Sequence, residues 1–533
     1  MSMESELSTT ETFRATPDQR VAKAETGSRL HTWLWRPNLI VFVSSACIMI
    51  LELVAGRIVA PYVGVSLYTW TSIIGIVLAG ISLGNYLGGQ LADRWASLHF
   101  LGGIFLVGGL SCFGILAADR VSGLIPNDWS IVVNILIFTT ILFFLPCVIL
   151  GTVSPVVAKL AVQDLARTGS TVGKIYAAGA AGSIVGTFAT GFILISWFGT
   201  YFIVWGVAVL LLMMGLLFIL GSRWKLMLAP ALIIAGGSTL IFNQGWLHST
   251  CARETNYFCI KVHEEEKDGE TVRVLILDRL VHSYTSLNDP TKLVYGYEKM
   301  YAEVTAYQAQ RSDHLRALFI GGGGYTFPRY IEAVYPGSDV HVIEIDPGVT
   351  QVAHDLLGLS PDTNVVTYNQ DARMFLAQEP GETYNLIMGD AFNDFSVPYH
   401  LTTKEFDDRV QAWLADDGLY VVNIIDGVRG DFLRAYTYTL RQTFGYVYLA
   451  PTIASWRESP RSTFVLVATD TPLDVAAFEM IDAGDGDPLF AHQLLKGGEL
   501  DALLAEGRVV MLTDQYAPVD QMLAPVVRGE EGQ

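Results

Sequence analysis

The chain has 533 residues, 51% of them hydrophobic, and a mean hydropathy of +0.37. A soluble enzyme of this length would be less apolar, so the composition points to a membrane half joined to a soluble half. The formal net charge of −19, from 34 Lys+Arg against 53 Asp+Glu, argues against nucleic acid as a partner; it suits a cationic small molecule such as a polyamine, or simply a soluble surface.

Residues 1–37 are polar, rich in Ser, Thr, Glu and Arg, and predict a disordered tail. The first apolar run is long and has no small-residue cleavage site, which excludes a signal peptide. Residues 38–245 predict a transmembrane helical domain of about seven spans, near 39–60, 69–91, 98–118, 130–158, 172–196, 200–221 and 226–243. Gly80, Gly84 and Gly88 form a small-residue stripe at four-residue spacing, and Gly182 with Gly186 forms another; both predict close helix approach. Glu52 and Arg57 stand in or near the end of the first span. Charges there are costly, and at a spacing of five they do not share a face, so each is expected to pair with another helix.

Arg14, Arg20, Lys23, Arg29 and Arg36 precede the first span, and Arg94, then Lys159, Arg167 and Lys174, then Arg223 and Lys225 fall in loops on the same side. The positive-inside bias places that side, and the N-terminus, in the cytoplasm. An odd number of spans then puts the soluble half outside, yet adenosylated cofactors are made in the cytosol. The sequence leaves the two in conflict. Cys47, Cys112 and Cys147 fall in apolar runs and read as packing residues. Cys251 and Cys259 either form a disulfide, if the soluble half is outside the cytosol, or are two separate thiols. No cysteine or histidine spacing predicts a metal site.

The soluble half divides into a β-rich entry segment, 246–310, and a Rossmann-like α/β domain, 311–533. YFCIKV and VRVLILDRLVHSY are strand-like, and EKMYAEVTAYQAQ reads as a helix. The apolar run Ala317 to Ile320 enters four glycines, Gly321 to Gly324; a helix follows, then a strand, Val340 to Ile343, ending on Glu344. A glycine turn between strand and helix lets backbone approach a ligand, and an acid at the tip of the next strand can hold a ribose diol. A helix over 349–357, a strand over 365–368 and Asp371 come next, then the strand YNLIMGDAF carrying Asp390, with later strands at GLYVVNII and 446–449. Alternating strands and helices predict a doubly wound parallel sheet with its ligand at the carboxyl ends. Thr326 stands where a dinucleotide fingerprint has its third glycine, which weighs against NAD. Acids after three successive strands fit an S-adenosyl ligand better, with Glu344 on the ribose, Asp371 on the adenine amine and Asp390 at the reacting end.

ETNYFCIKV, LILDRLVHS, YAEVTAY, IGGGGY, VIEIDP, NQDARMF and GDAFNDFSVPYHLTTKEF occur in the order and approximate spacing of the spermidine synthase (polyamine aminopropyltransferase) family. The resemblance covers about 251–450, and the whole chain resembles the version fused to a multi-span N-terminal domain; LTDQYAPVDQML resembles the ending of that group. It implies transfer of an aminopropyl group from decarboxylated S-adenosylmethionine to an amine, with release of methylthioadenosine and no metal. By the same resemblance, Asp390 is the catalytic carboxylate, Gly321, Gly323, Gly324, Glu344, Asp371 and Ala372 hold the donor, and Tyr301, Glu303, Asn393 and Asp394 face the amine. Homodimers are common in the family, although no residue here specifies one.

Two departures stand out. The family's acid after the glycine strand is here Gly324, and its Asp-Ser-Ser-Asp-Pro run is here Asp390-Ala391-Phe392-Asn393-Asp394. Arg329 follows the glycine loop and, facing a carboxylate, would favour intact S-adenosylmethionine. Three readings are therefore open: a membrane-bound aminopropyltransferase, an S-adenosylmethionine-dependent methyltransferase, and a non-enzymatic polyamine transporter or sensor.

Overall fold

The computed structural model describes residues 36–122, 131–162, 165–221, 236–237, 250–267, 269–391, 397–481 and 488–528. Six described helices are long and apolar enough to cross a membrane: α1 (Pro37–Val63), α2 (Leu67–Trp95), α3 (Leu98–Ile115), α4 (Val132–Ala161), α5 (Leu165–Trp197) and α6 (Thr200–Leu220). The seventh predicted span, 226–243, lies outside the described residues except for 236 and 237.

Both glycine stripes lie where helices touch. A Cβ on Gly84 would stand 2.2 Å from the Val148 carbonyl oxygen, and one on Gly182 would stand 2.1 Å from that of Phe42. Only hydrogen fits at either point, so α2 meets α4, and α1 meets α5, backbone to backbone. Between 17% and 50% of each apolar window is buried in the bundle; the remainder makes an apolar outer surface, with Leu78, Phe192 and Trp197 more than half exposed. In a monomeric soluble protein so wide an apolar surface would be a liability.

Beyond the bundle, β1 (Arg253–Glu254), β2 (Cys259–Lys267), β3 (Glu270–Leu277) and β4 (Leu280–Ser286) form a four-stranded sheet, paired in order. Cys251 and Cys259 are joined in a disulfide, with Cα atoms 5.2 Å apart. Helix α7 (Gly296–Ala309) leads into a seven-stranded sheet built from β5 (Arg316–Ile320), β6 (Asp339–Ile343), β7 (Val366–Tyr368), β8 (Tyr384–Gly389), β9 (Leu414–Asp426), β10 (Tyr446–Pro451) and β11 (Ser462–Thr469). Its spatial order is β10-β11-β9-β8-β5-β6-β7. From β7 to β9 every pairing is parallel, whereas β11 runs antiparallel to both β9 and β10. The expected all-parallel sheet is thus corrected at one edge, because the β10–β11 connection is too short for a crossover and closes as a hairpin. Two apolar layers cover the sheet, one around Ile320, Phe406 and Tyr436, the other around Tyr301, Phe319 and Phe490. The chain runs β5, β6, β7 to one side and returns as β8 on the other, and this reversal opens a crevice at the ends of β5, β6 and β8.

The halves are clasped at residues 253–261. The Arg57 guanidinium donates to the carbonyls of Thr255 and, at 3.1 Å, Asn256. Lys261 Nζ donates to the Pro61 carbonyl at 3.3 Å, and the Glu254 carboxylate accepts Thr200 N–H at 2.8 Å, capping α6. Arg57 therefore pairs with the soluble half, not with another helix as its position in the span suggested, because it lies in the last turns of α1, next to that surface.

Candidate active site

Backbone hydrogen bonds bring the three strand ends together. Gly321 N–H donates to Ile343 O at 2.8 Å, Asp390 N–H to Ile320 O at 2.9 Å and Glu344 N–H to Tyr368 O at 3.0 Å. Gly321 has φ +100°, and a Cβ on it would sit 2.4 Å from the Asp390 carbonyl oxygen; only glycine gives the chain that turn. Over these ends lies a cleft of about 170 Å³, walled by Gly321, Gly323, Glu344, Asp371, Ala372 and Asp390. Tyr257 and Phe258, from the clasp segment, line it as well.

Glu344 is 6% exposed. Its Oε2 accepts Gly322 N–H at 2.8 Å and its Oε1 accepts Asp346 N–H at 2.9 Å. Burial pushes its pKa up to about 7, partly opposed by those hydrogen bonds. Each oxygen keeps a second lone pair for a ligand hydroxyl. Asp371 caps the short helix α8 (Ala372–Phe375) through Met374 N–H at 3.0 Å, and its other oxygen is 3.4 Å from His400 Nε2.

Asp390 is gripped on both oxygens: Asn423 Nδ2 donates to Oδ1 at 2.9 Å and the Tyr297 hydroxyl to Oδ2 at 3.1 Å. Its enclosure raises the pKa above the usual carboxylate range, with those two bonds acting the other way. Glu298, 3% exposed, stands nearby with its pKa pushed up to about 8 by burial first and the Asp390 charge second. His282 also lines the cleft, and its Nδ1 lies 2.9 Å from the Leu280 carbonyl. A carbonyl only accepts, so Nδ1 carries hydrogen.

Tyr297, His282, His400 and Asn423 were not singled out from the sequence. Tyr297 had a signal: it lies four residues before Tyr301, on the same helix face. Asn423 sits inside the apolar run of β9, where a buried amide needs a partner.

Four expectations fall elsewhere. Tyr301 is buried behind Tyr297, the ring centroids 5.4 Å apart, and does not line the cleft. Glu303 accepts the backbone N–H groups of Leu489 and Phe490 at 2.6 and 2.7 Å, capping Leu489–Gln493, so it does not face an amine. Glu303→Ala strips both donors of their acceptor; it should lower stability by about 1–3 kcal/mol and leave nucleoside affinity alone, as thermal unfolding and calorimetric titration in detergent would register. Gly324 is also off the cleft wall, under β4. Arg329, 8% exposed, donates to the carbonyls of Ser286 and Leu357 at 3.2 and 3.1 Å and so is turned away from any donor carboxylate. Asn393 and Asp394 lie outside the described residues.

Sequence comparison finds polyamine aminopropyltransferases among the relatives. The chain is similar to the polyamine aminopropyltransferase of Vibrio vulnificus (strain CMCP6), 29% identical over 212 residues, which are 38% of this chain and 69% of the relative. It is similar to polyamine aminopropyltransferase 2 of Streptomyces coelicolor, 24% identical over 418 residues and 72% of each chain. By sequence the chain is similar to the polyamine aminopropyltransferases. The second match is longer than the whole soluble half, so the likeness reaches into the helical region. No family model matches the chain. A solved structure titled as a probable spermidine synthase, from Corynebacterium glutamicum ATCC 13032, aligns at 21% identity and a TM-score of 0.42, over 48% of this chain and 93% of that one.

Against the family pattern, the missing acid has a structural counterpart. A Cβ on Gly324 would lie 1.9 Å from Ser283 Oγ and 3.1 Å from Thr285 Oγ1. Side chains from β4 fill the volume into which an acid at position 324 would grow. Ser283 Oγ is buried with no hydrogen-bond partner among the described residues.

Proposed function

We propose that the chain is a membrane-bound aminopropyltransferase, taking an aminopropyl group from decarboxylated S-adenosylmethionine to an amine and releasing methylthioadenosine. The observation that carries this reading is the convergence of Gly321, Glu344, Asp371 and Asp390 on one cleft, in a chain related by sequence to polyamine aminopropyltransferases.

The donor's nucleoside fits the glycine turn. Glu344 accepts its ribose hydroxyls, Asp371 takes the adenine amine, and Phe258 and Leu401 supply apolar wall for the base. The reaction is a displacement at the methylene beside a sulfonium. The amine nitrogen forms the new C–N bond, the C–S bond breaks, and its electron pair stays on sulfur as the neutral thioether. The attacking amine must be neutral, although amines of this class are protonated near pH 7. Asp390 is the proton acceptor. Tyr297 and Asn423 fix its plane, its raised pKa makes it a better base, and its charge attracts the cationic amine.

The missing acid at position 324 favours one alternative, an S-adenosylmethionine-dependent methyltransferase on the same scaffold. Purified protein in detergent, given decarboxylated or intact S-adenosylmethionine with a panel of amines and read by mass spectrometry, separates the two. Methylthioadenosine with an aminopropylated amine is the expected result. S-adenosylhomocysteine would replace this reading with the alternative.

A further inference from the structure

The hydrogen bonds and packing between the halves gather at one end of the helix bundle. Arg57 and Pro61 belong to the last turns of α1 and Thr200 opens α6. Ile195 and Ser196, near the end of α5, share a cavity with Arg253 to Tyr257. The C-terminal helix Val519–Arg528 lies against Ile131–Thr139, the start of α4. These are the ends that an alternating up-and-down bundle brings to a single face.

The other face is basic. It carries Arg36 before α1, Arg94 at the end of α2, Lys159 at the end of α4, and Arg167 and Lys174 at the start of α5. Lys159 Nζ lies 2.9 Å from Asp93 Oδ1, which ties the ends of α2 and α4 together there. Toward the soluble half, Arg57 is engaged by carbonyls of the clasp. The lysine and arginine asymmetry therefore marks the face away from the soluble half as cytoplasmic.

Chain direction agrees. Helix α6 starts at the clasp and runs 21 residues to Leu220, about 31 Å at 1.5 Å per residue, so Leu220 is on the basic face. Cys251 lines a small cavity with Arg57 and Thr200, back at the clasp. The sequence between them holds the apolar stretch 226–243, long enough for one more crossing. The Cys251–Cys259 disulfide is chemistry of an oxidising compartment.

We infer that the soluble half and its cleft stand on the non-cytoplasmic side of the membrane, seated on the outer ends of the helix bundle. This placement holds whatever reaction the cleft performs. If the proposed reaction is right, the nucleoside donor must be carried across the membrane, or formed outside, before this step.

The test uses the full-length chain and a membrane-impermeant maleimide. Met480, 85% exposed on the soluble half, and Leu165, 90% exposed at the basic face, are each changed to Cys in separate variants; the native free thiols Cys47, Cys112 and Cys147 are buried. Right-side-out and inside-out membrane vesicles are labelled, with detergent-opened membranes as the control for a folded, reactive thiol. Expected is labelling of Met480→Cys only in right-side-out vesicles and of Leu165→Cys only in inside-out vesicles. In the unmodified protein Cys251 and Cys259 should react only after reduction. Labelling of Met480→Cys only in inside-out vesicles, or of both variants from the same side, would overturn the placement.

Discussion

Changing Asp390 to Asn should lower aminopropyl transfer by about 10²- to 10⁴-fold, the range for loss of a general base, while methylthioadenosine still binds. The substitution keeps shape and removes charge. The Tyr297 hydroxyl can still donate to the amide oxygen, so the wall of the cleft keeps its form, whereas the side chain no longer accepts a proton or attracts a cationic amine. In the proposed reading the nucleoside end is held at Glu344, Asp371 and the glycine turn, which line the same cleft. Turnover by mass spectrometry and nucleoside binding by calorimetry measure the two halves of the statement. Wild-type turnover in Asp390→Asn would remove this residue from the chemistry, and loss of nucleoside binding would assign it to the architecture. Asn423→Ala gives a milder version: Asp390 loses one of its two anchors but keeps its charge.

The second large effect is pH dependence at Glu344. A ribose diol donates hydrogen bonds, so the ligand prefers the ionised carboxylate, and burial sets its pKa at about 7 in the empty cleft. Below that pH the group must first lose a proton, and affinity for methylthioadenosine should fall by up to tenfold per pH unit. Above it, affinity levels off. Glu344→Gln should bind more weakly and show a flat profile over the same range; a wild-type profile flat from pH 5.5 to 8.5 would exclude the diol contact. Folding stability moves the other way. A carboxyl raised from 4.5 to about 7 binds its proton more tightly folded than unfolded, so its favourable contribution is complete below about 4.5 and is lost as pH rises through about 7. Glu298 acts in the same direction, up to about 8.

The sheet was legible because each strand of its first half ends on a feature that punctuates the sequence: four glycines after β5, Glu344 after β6, Asp371 after β7, Asp390 after β8. These positions are set by short-range chemistry, so reading along the chain finds them. What a side chain faces across the fold is another matter. Glu303 and Arg329 sit in motif-like surroundings, yet one caps Leu489–Gln493 from 186 residues away and the other holds the Ser286 carbonyl 43 residues back. His282 reaches the cleft from β4, whose pattern carries no sign of it, and Asn423 reaches Asp390 from β9, where an amide in an apolar run hints only at some partner. The antiparallel strand β11, between β10 and β9, escaped for a similar reason, since an apolar β-branched run does not reveal the direction of its neighbour. Arg57 was marked by the cost of charge in an apolar helix, but its partners lie in the clasp, 198 and 199 residues further on.

The collision between Ser283 and an imagined Cβ at Gly324 has a bearing on how this cleft can change over generations. An acid at position 324 does not fit beside Ser283 as it stands. With Ser283 in place, Gly324→Asp forces a side chain into occupied volume. Ser283→Gly removes the obstructing hydroxymethyl group and leaves Thr285 as the next contact, at 3.1 Å. The order of events is therefore constrained: the β4 residue yields first, and only then does the acid become tolerable. The two positions form an epistatic pair, and the route between the two cleft chemistries runs through the small-small intermediate.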